Sequence, residues 1–434
     1  MMIKTLLLFF SYTLVSFGKE APAIESPALP AELSDYKLSQ TPEPSIVLKK
    51  GDRLAICGDS ITEQKQYSVI METYLTACLP ELEITSRQYG WSGERAGGFL
   101  DRMENDVLRF KPTVATTCYG MNDFGYVVFD ENLAAEYRDR QSKIVDKFKS
   151  AGVRVVVGSS GIIDSVPDWV EGAKGEKKDL NIALSKFRNI ALEVAKAGEA
   201  GFGDVFRPML IANLAAKKTY GEAFQVSGKD GVHPGWAGHA IMAYAFLKAL
   251  GVDGDMGSIT YNESENTATG KNGHEVLNTA DGSIKVRSSR IPFCPGPGVI
   301  DNDDSLRAGM ALVAFDDALN RFIFKIESPK SKNYSVTWGN TTLPYTAAQL
   351  EAGINLAKDF QDNPLVIPFK KIQDAVAVKQ AFETKQIKDI VHGEEGKEDM
   401  EAAFARTETE REVFVKNLAA TIQAAEYSIV IQAQ

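Results

Sequence analysis

Arg53-Leu54-Ala55-Ile56-Cys57-Gly58-Asp59-Ser60 is a short apolar run that stops at a glycine and hands over to a carboxylate and a hydroxyl. A run of this length, bounded by turn residues, reads as a buried strand. The next amphipathic stretch, Tyr67 to Leu79, reads as a helix. The same alternation continues along the chain. Further strands are expected at Leu82 to Arg87, Val114 to Tyr119, Val153 to Ser159 and Gly203 to Phe206, with helices at Asn132 to Ala151, Asp179 to Gly198 and His233 to Leu250. Strand-helix alternation predicts a parallel sheet covered by helices, with ligands bound beyond the carboxyl ends of the strands. Ser60 and Asn122 both follow such an end.

Three further blocks carry chemistry: Ser92-Gly93-Glu94, Gly120-Met121-Asn122-Asp123 and Asp230-Gly231-Val232-His233. Ser60 at a strand-to-helix turn is a candidate nucleophile, although a serine there serves equally as a helix cap. With four histidines in the chain the search for a base is short. His233 has Asp230 three residues before it, so the carboxylate can accept from one ring nitrogen while the other faces the serine. His239, inside the expected helix, reads as a packing residue. The backbone N–H groups of Ser60 and Gly93 and the side-chain amide of Asn122 are the candidate oxyanion donors. Gly90, Gly97 and Gly98 are neighbours able to take the place of Gly93, and Asn122 alone is equally an Asx-turn residue.

In this order the four blocks resemble those of the SGNH hydrolases, also called GDSL esterases and lipases, over about residues 48 to 252. The resemblance implies a flavodoxin-like three-layer α/β/α sandwich, with Ser60, Gly93, Asn122 and His233 as the four named residues and Asp230 as the triad acid. Ile61 stands where leucine is usual. Glu94 and Arg95 replace a frequent aspartate and threonine, which leaves the shape of that loop open. The family hydrolyses esters broadly, so the fold alone does not choose a substrate.

Composition bounds the rest. The chain has 434 residues, 44% hydrophobic and 24% charged, with a formal charge of -10. That balance weighs against nucleic acid as a partner. Lys4, an apolar run from Thr5 to Phe17, and small residues before a cleavage point after Gly18 read as an export signal. A Pro-, Ala- and Glu-rich spacer follows from 19 to 47. We therefore expect a signal at 1–18, a hydrolase domain at 48–253, a β-rich accessory region at 254–345 and a helical region at 346–434, in a periplasmic or extracellular protein without an integral membrane anchor. Cys57, Cys78, Cys118 and Cys294 are too scattered for a disulfide scaffold and read as small buried residues. No zinc spacing occurs, and hydrolysis through an acyl-serine needs no metal or organic cofactor.

Beyond Gly254, the runs Ser283 to Val286, Arg321 to Glu327 and Asn333 to Trp338 read as antiparallel strands. Thr346 to Lys358, Pro368 to His392 and Glu394 to Ala425 read as helices, with the stretch ending in Tyr427 to Gln434 a candidate for self-association. Asp301-Asn302-Asp303-Asp304 reads as a solvated turn, and Arg290 to Gly298 as a connecting loop or an arm toward the active site. Trp91, Phe124, Tyr126 and Trp169 are candidates to line a substrate cleft, or to fill the core. The expected substrate is an acetyl or other short acyl ester of a carbohydrate. The alternatives are lysophospholipase or short-chain lipase activity, acyl transfer, and glycan binding without catalysis.

Overall fold

The computed structural model describes residues 29–434; the expected export signal lies outside them. Five parallel strands, β1 (Arg53–Gly58), β2 (Thr85–Gly90), β3 (Val114–Cys118), β4 (Arg154–Gly158) and β5 (Gly201–Gly203), form a sheet in the order β2-β1-β3-β4-β5. This is the doubly wound, flavodoxin-like order, in which the chain reverses direction across the sheet between β1 and β3. β1 lies between β2 and β3, with Gly58 in register with Gly90 on one side and Cys118 on the other. Three of the four blocks therefore leave the sheet side by side.

Burial on both faces explains the strand sequences. Leu54, Ala55, Ile56 and Cys57 of β1 are all buried, as are Val155, Val156 and Val157 of β4, so these runs carry no polar alternation. Helices Tyr67–Cys78, Ala96–Asp106, Glu131–Ser150, Lys177–Ala197, Phe206–Tyr220 and Trp236–Ala249 cover the sheet. Two of them were not anticipated. Gly97 and Gly98 mask the helix Ala96–Asp106, and Phe206, expected to end a strand, begins a helix instead.

The segment before β1 is not merely a tether. Leu33 and Ile46 are buried, and Arg188 of the helix Lys177–Ala197 binds the carbonyl of Ser39, Thr41 and Asp204.

After Gly254 the chain builds two more sheets. One has the order Ile354–Asn355, Arg321–Glu327, Asp255–Asn262, Thr267–Lys271. Here Arg321–Glu327 pairs parallel with Asp255–Asn262, which corrects the antiparallel expectation. The intervening chain, with helices Leu306–Leu312 and Phe315–Leu319, is long enough for the crossover a parallel pair requires. The other sheet is antiparallel and places Ala425–Ala433 between Asn333–Trp338 and Ser283–Ser288. The chain end is thus an interior strand and not a helix. Tyr427, Ile429 and Ile431 alternate inward, a period-two pattern that only a partner sheet reveals.

The expected helix Thr346 to Lys358 is broken by Gly353 into Ala347–Ala352 and Leu356–Asp359. The helix Val366–Lys385 lies against the Tyr67–Cys78 helix and β2, and Glu394–Thr421, joined to it by a π-helical turn at Gln386–Val391, packs on it. Their contact surface is ionic and buried. Lys379 Nζ binds Glu383 at 2.6 Å and Glu72 at 3.0 Å, and Arg411 binds Glu383 at 2.7 Å.

Within Arg290 to Gly298, the stretch 291–294 is buried, and Phe293 packs on Tyr74, Phe315 and Phe369. It is a core connection and does not reach the site. All four cysteines are free and buried.

Candidate active site

Ser60 opens the short helix Ser60–Glu63 directly after β1, and the Asp59 carboxylate caps that helix by accepting from the Ile61 N–H at 3.0 Å. Gly58 has no room for a side chain, because a Cβ there would sit 2.0 Å from Thr62 Oγ1. The turn from strand to helix can therefore be this tight only with glycine.

His233 comes from the turn before the helix Trp236–Ala249. Its Nε2 lies 2.8 Å from Ser60 Oγ, and its Nδ1 lies 2.6 Å from Asp230 Oδ2. The other oxygen of Asp230 accepts from the N–H groups of Val232 and His233 at 3.0 and 2.8 Å. Partial burial alone would raise the Asp230 pKa. The His233 backbone and ring and the Val232 N–H outweigh it and hold the carboxyl below its usual range, hence ionised.

The loop after β2 is built around Glu94. Its carboxylate is gripped by two nitrogens of Arg102, at 2.6 and 2.7 Å, and accepts from the Tyr119 hydroxyl at 2.8 Å. Asn122 Nδ2 donates to the Glu94 carbonyl at 3.0 Å, which ties the loop after β3 to the loop after β2. An amide nitrogen carries two hydrogens, so one remains for a ligand. Gly93 sits at φ +74° with no atom within 4 Å of where a Cβ would be. The backbone there needs glycine for its conformation and not for space. Trp91 N–H reaches back to the carbonyl of Gly58 at 3.0 Å.

Two carboxylates lie under the site. Burial pushes Asp59 up to about 7 and Asp123 up to about 6. Asp123 accepts from the N–H groups of Ala96 and Gly120, both at 2.9 Å, and so stitches the same two loops together.

His239 is buried, faces Gln64 Oε1 at 2.8 Å with Nε2 and accepts from Tyr67 N–H with Nδ1. Burial lowers it to about 3, so it stays neutral and serves packing.

The four aromatic candidates separate. Phe124 is 1% exposed, tilted against the Tyr126 ring and edge-on to Phe187, so it is core and not a cleft wall. The backbone of Tyr126 takes φ 56°, and its hydroxyl lies 3.5 Å from Asn122 Oδ1. Trp169 is 47% exposed, with its ring 5.6 Å from His233 and 5.7 Å from Tyr126. Trp91 turns instead toward the C-terminal helices, edge-on to His392 at 5.1 Å.

Beside His233 lies an open cavity of about 410 Å³, lined by Gln66, Gln225, Lys229, Asp230, Asp303 and Asp304 among others. Asp303 and Asp304 do form a turn. It is docked on the histidine helix, where Asp304 Oδ1 accepts from Trp236 N–H at 3.3 Å. Among the described residues no group of His, Cys, Asp and Glu is arranged to hold a metal ion, and no helix is long and apolar enough to cross a membrane.

The sequence blocks omitted four supporting residues. Glu63, Arg102, Lys388 and His392 orient the loop after β2. Glu63 alone carried a local hint, one helical turn after Ser60; Lys388 is 325 residues from its partner Glu63.

The profile of the GDSL-like lipase/acylhydrolase family matches residues 56–241. An acetylxylan esterase of Geobacillus stearothermophilus is 26% identical over 218 residues, which covers 47% of this chain and 95% of that protein. Among solved structures, a gut microbial diltiazem-metabolizing enzyme superposes with a TM-score of 0.71 at 21% identity, over 90% of this chain and all of that one. Its likeness extends the shared architecture to the region after Gly254.

Proposed function

Because the chain belongs to the GDSL-like (SGNH) hydrolase superfamily and is a carboxylic ester hydrolase, we propose that Ser60, His233 and Asp230 are its catalytic triad and that it removes acetyl or other short acyl groups from a carbohydrate. The single observation that carries the triad is the continuous line of contacts from Ser60 Oγ to His233 at 2.8 Å and on to Asp230 at 2.6 Å.

In this reading His233 Nε2 takes the Ser60 proton as Oγ attacks the ester carbonyl, and Asp230 stabilises the imidazolium that forms. The N–H groups of Ser60 and Gly93 and the Asn122 amide receive the oxyanion. His233 then returns the proton to the departing alcohol, leaving acyl-Ser60. Water, deprotonated by the same imidazole, completes the cycle.

Three features support a carbohydrate alcohol. The cavity beside His233 is lined by amides and charged groups. Gln66 Oε1 in that lining is buried without a hydrogen-bond partner, an acceptor suited to a sugar hydroxyl. Trp169 offers an exposed ring next to the histidine. The acetylxylan esterase relative points the same way. Export is part of the proposal and rests on the apolar run from Thr5 to Phe17.

The test is acetate release from a panel of acetylated glycans and turnover of aryl esters of increasing chain length, using the full chain and Ser60→Ala. We expect acetyl esters to be preferred and Ser60→Ala to lose turnover about a millionfold with its fold intact. Activity retained in that variant removes Ser60 from the role, and a preference for long acyl chains replaces the glycan with a lipid.

A further inference from the structure

We propose that the C-terminal helical arm is a working part of the active site, with Lys388 as a positioning residue for the oxyanion loop. The inference rests on the reading of Gly93 as an oxyanion donor. Lys388 lies on the π-helical turn Gln386–Val391, a kind of irregularity that recurs at functional positions. Its Nζ binds Glu63 Oε1 at 2.7 Å. The other oxygen of Glu63 accepts both the backbone N–H of Ser92, at 2.5 Å, and its hydroxyl, at 2.6 Å. Glu63 ends the short helix that Ser60 begins.

One carboxylate thus joins the nucleophile's helix, the residue before Gly93 and the C-terminal arm. The Trp91 ring is held by the same arm. Lys388 Nζ lies 5.3 Å from its centroid, and the His392 ring stands edge-on at 5.1 Å with Nε2 bonded to both oxygens of Asp106 at 2.9 Å. From the hydrolase side, Arg102 lies 5.1 Å from the Trp91 ring while holding Glu94. Trp91, Ser92 and Glu94 are each clamped, and Gly93 lies between them at positive φ.

A donor aimed at a developing charge must be set before the reaction, and small displacements of such groups lower rate more than substrate affinity. Lys388 fixes which carboxylate oxygen is free to hold Ser92. It touches no reacting atom and acts through Glu63.

The experiment uses the full chain with Lys388→Met, which keeps the apolar stem, Lys388→Arg, Glu63→Gln, and the double variant Glu63→Gln with Lys388→Met. Hydrolysis of an aryl acetate is measured beside the amide resonances of selectively labelled Ser92 and Gly93. For Lys388→Met we expect kcat to fall about ten- to a hundredfold with KM within about twofold, and the Gly93 amide to shift. Lys388→Arg should restore most of both, and the double variant should fall little below Glu63→Gln alone.

Unchanged turnover, a loss that adds in full to that of Glu63→Gln, or a Gly93 amide at its wild-type position overturns the proposal. If the wild-type chain hydrolyses no ester, the proposed function fails instead, and the amide resonances alone decide the role of Lys388.

Discussion

Asp59 shows how much the surroundings of a single residue decide. It stands between Gly58 and Ser60, 2% exposed, with its carboxyl accepting one N–H bond from Ile61. Burial raises it to about 7, whereas in the unfolded chain an aspartate titrates near about 3.9. Between those values the folded state keeps a proton that the unfolded chain has released. Its stabilising share is therefore full below about pH 4 and is lost as pH rises toward 7, at no more than about 1.4 kcal/mol per unit.

Asn in its place keeps the acceptor for Ile61 and has no charge to bury. We expect Asp59→Asn to gain stability relative to wild type on going from pH 4.5 to 6.5, measured by urea unfolding. Parallel profiles for the two proteins would show that Asp59 is ionised in the fold. The motif suggests Ser60 as the helix cap, whereas the structure gives that role to Asp59; the titration of Asp59 lies beyond the motif altogether, because it depends on what covers the residue.

Among elements, the helix Ala96–Asp106 matters most to the site, and it is one the pattern of residues concealed. Its Gly97-Gly98 pair lowers helical propensity. It forms because its buried side, Ala96, Phe99, Arg102, Met103 and Asp106, meets the sheet and the neighbouring helix. Arg102 and Glu94 are 8% and 6% exposed, so their bidentate pair has little water to fall back on.

Removing one partner strands the other as a buried charge, at a cost of about 3–5 kcal/mol. Arg102→Met should destabilise the protein by about that amount in urea unfolding, and adding Glu94→Gln should recover part of it. A loss below about 1 kcal/mol would mean the pair is wetter than its burial indicates. Arg102 shows no motif around it; only the packing of helix on loop brings it to Glu94.

At the scale of the molecule, the region after Gly254 is interlocked with the hydrolase. Gln380 bonds Ser68 and Glu72, Lys379 bonds the Ser86 carbonyl, and the Ile291 N–H bonds the Ala77 carbonyl. The last strand, Ala425–Ala433, is hydrogen-bonded on both sides. A chain ending at residue 424 leaves Ser283–Ser288 and Asn333–Trp338 with open edges and uncovers Trp338 and Tyr334, which are wholly buried.

We expect that truncation to aggregate or to unfold at markedly lower temperature, read by calorimetry and size-exclusion chromatography. A well-folded, monomeric product would make the terminal strand dispensable. Self-association through this segment is not needed to satisfy it, since its inward residues Tyr427, Ile429 and Ile431 are already covered.

The alternation of β1 to β4 with the helices Tyr67–Cys78, Glu131–Ser150 and Lys177–Ala197, the identity of the four blocks and the short-range Asp230–His233 pair were decided by the sequence, because each depends on periodicity or on neighbours a few residues apart. The alternating strand at the chain end was equally written there, yet it lies beside helical pattern, and local propensity could not say which sheet would receive it. Contacts between distant segments belong to the tertiary structure alone: the register that sets Gly58 between Gly90 and Cys118, the burial that separates core Phe124 from exposed Trp169, and the reach of Lys388 to Glu63. Such contacts are made by residues with no fixed spacing along the chain, so nothing short of the folded arrangement decides them.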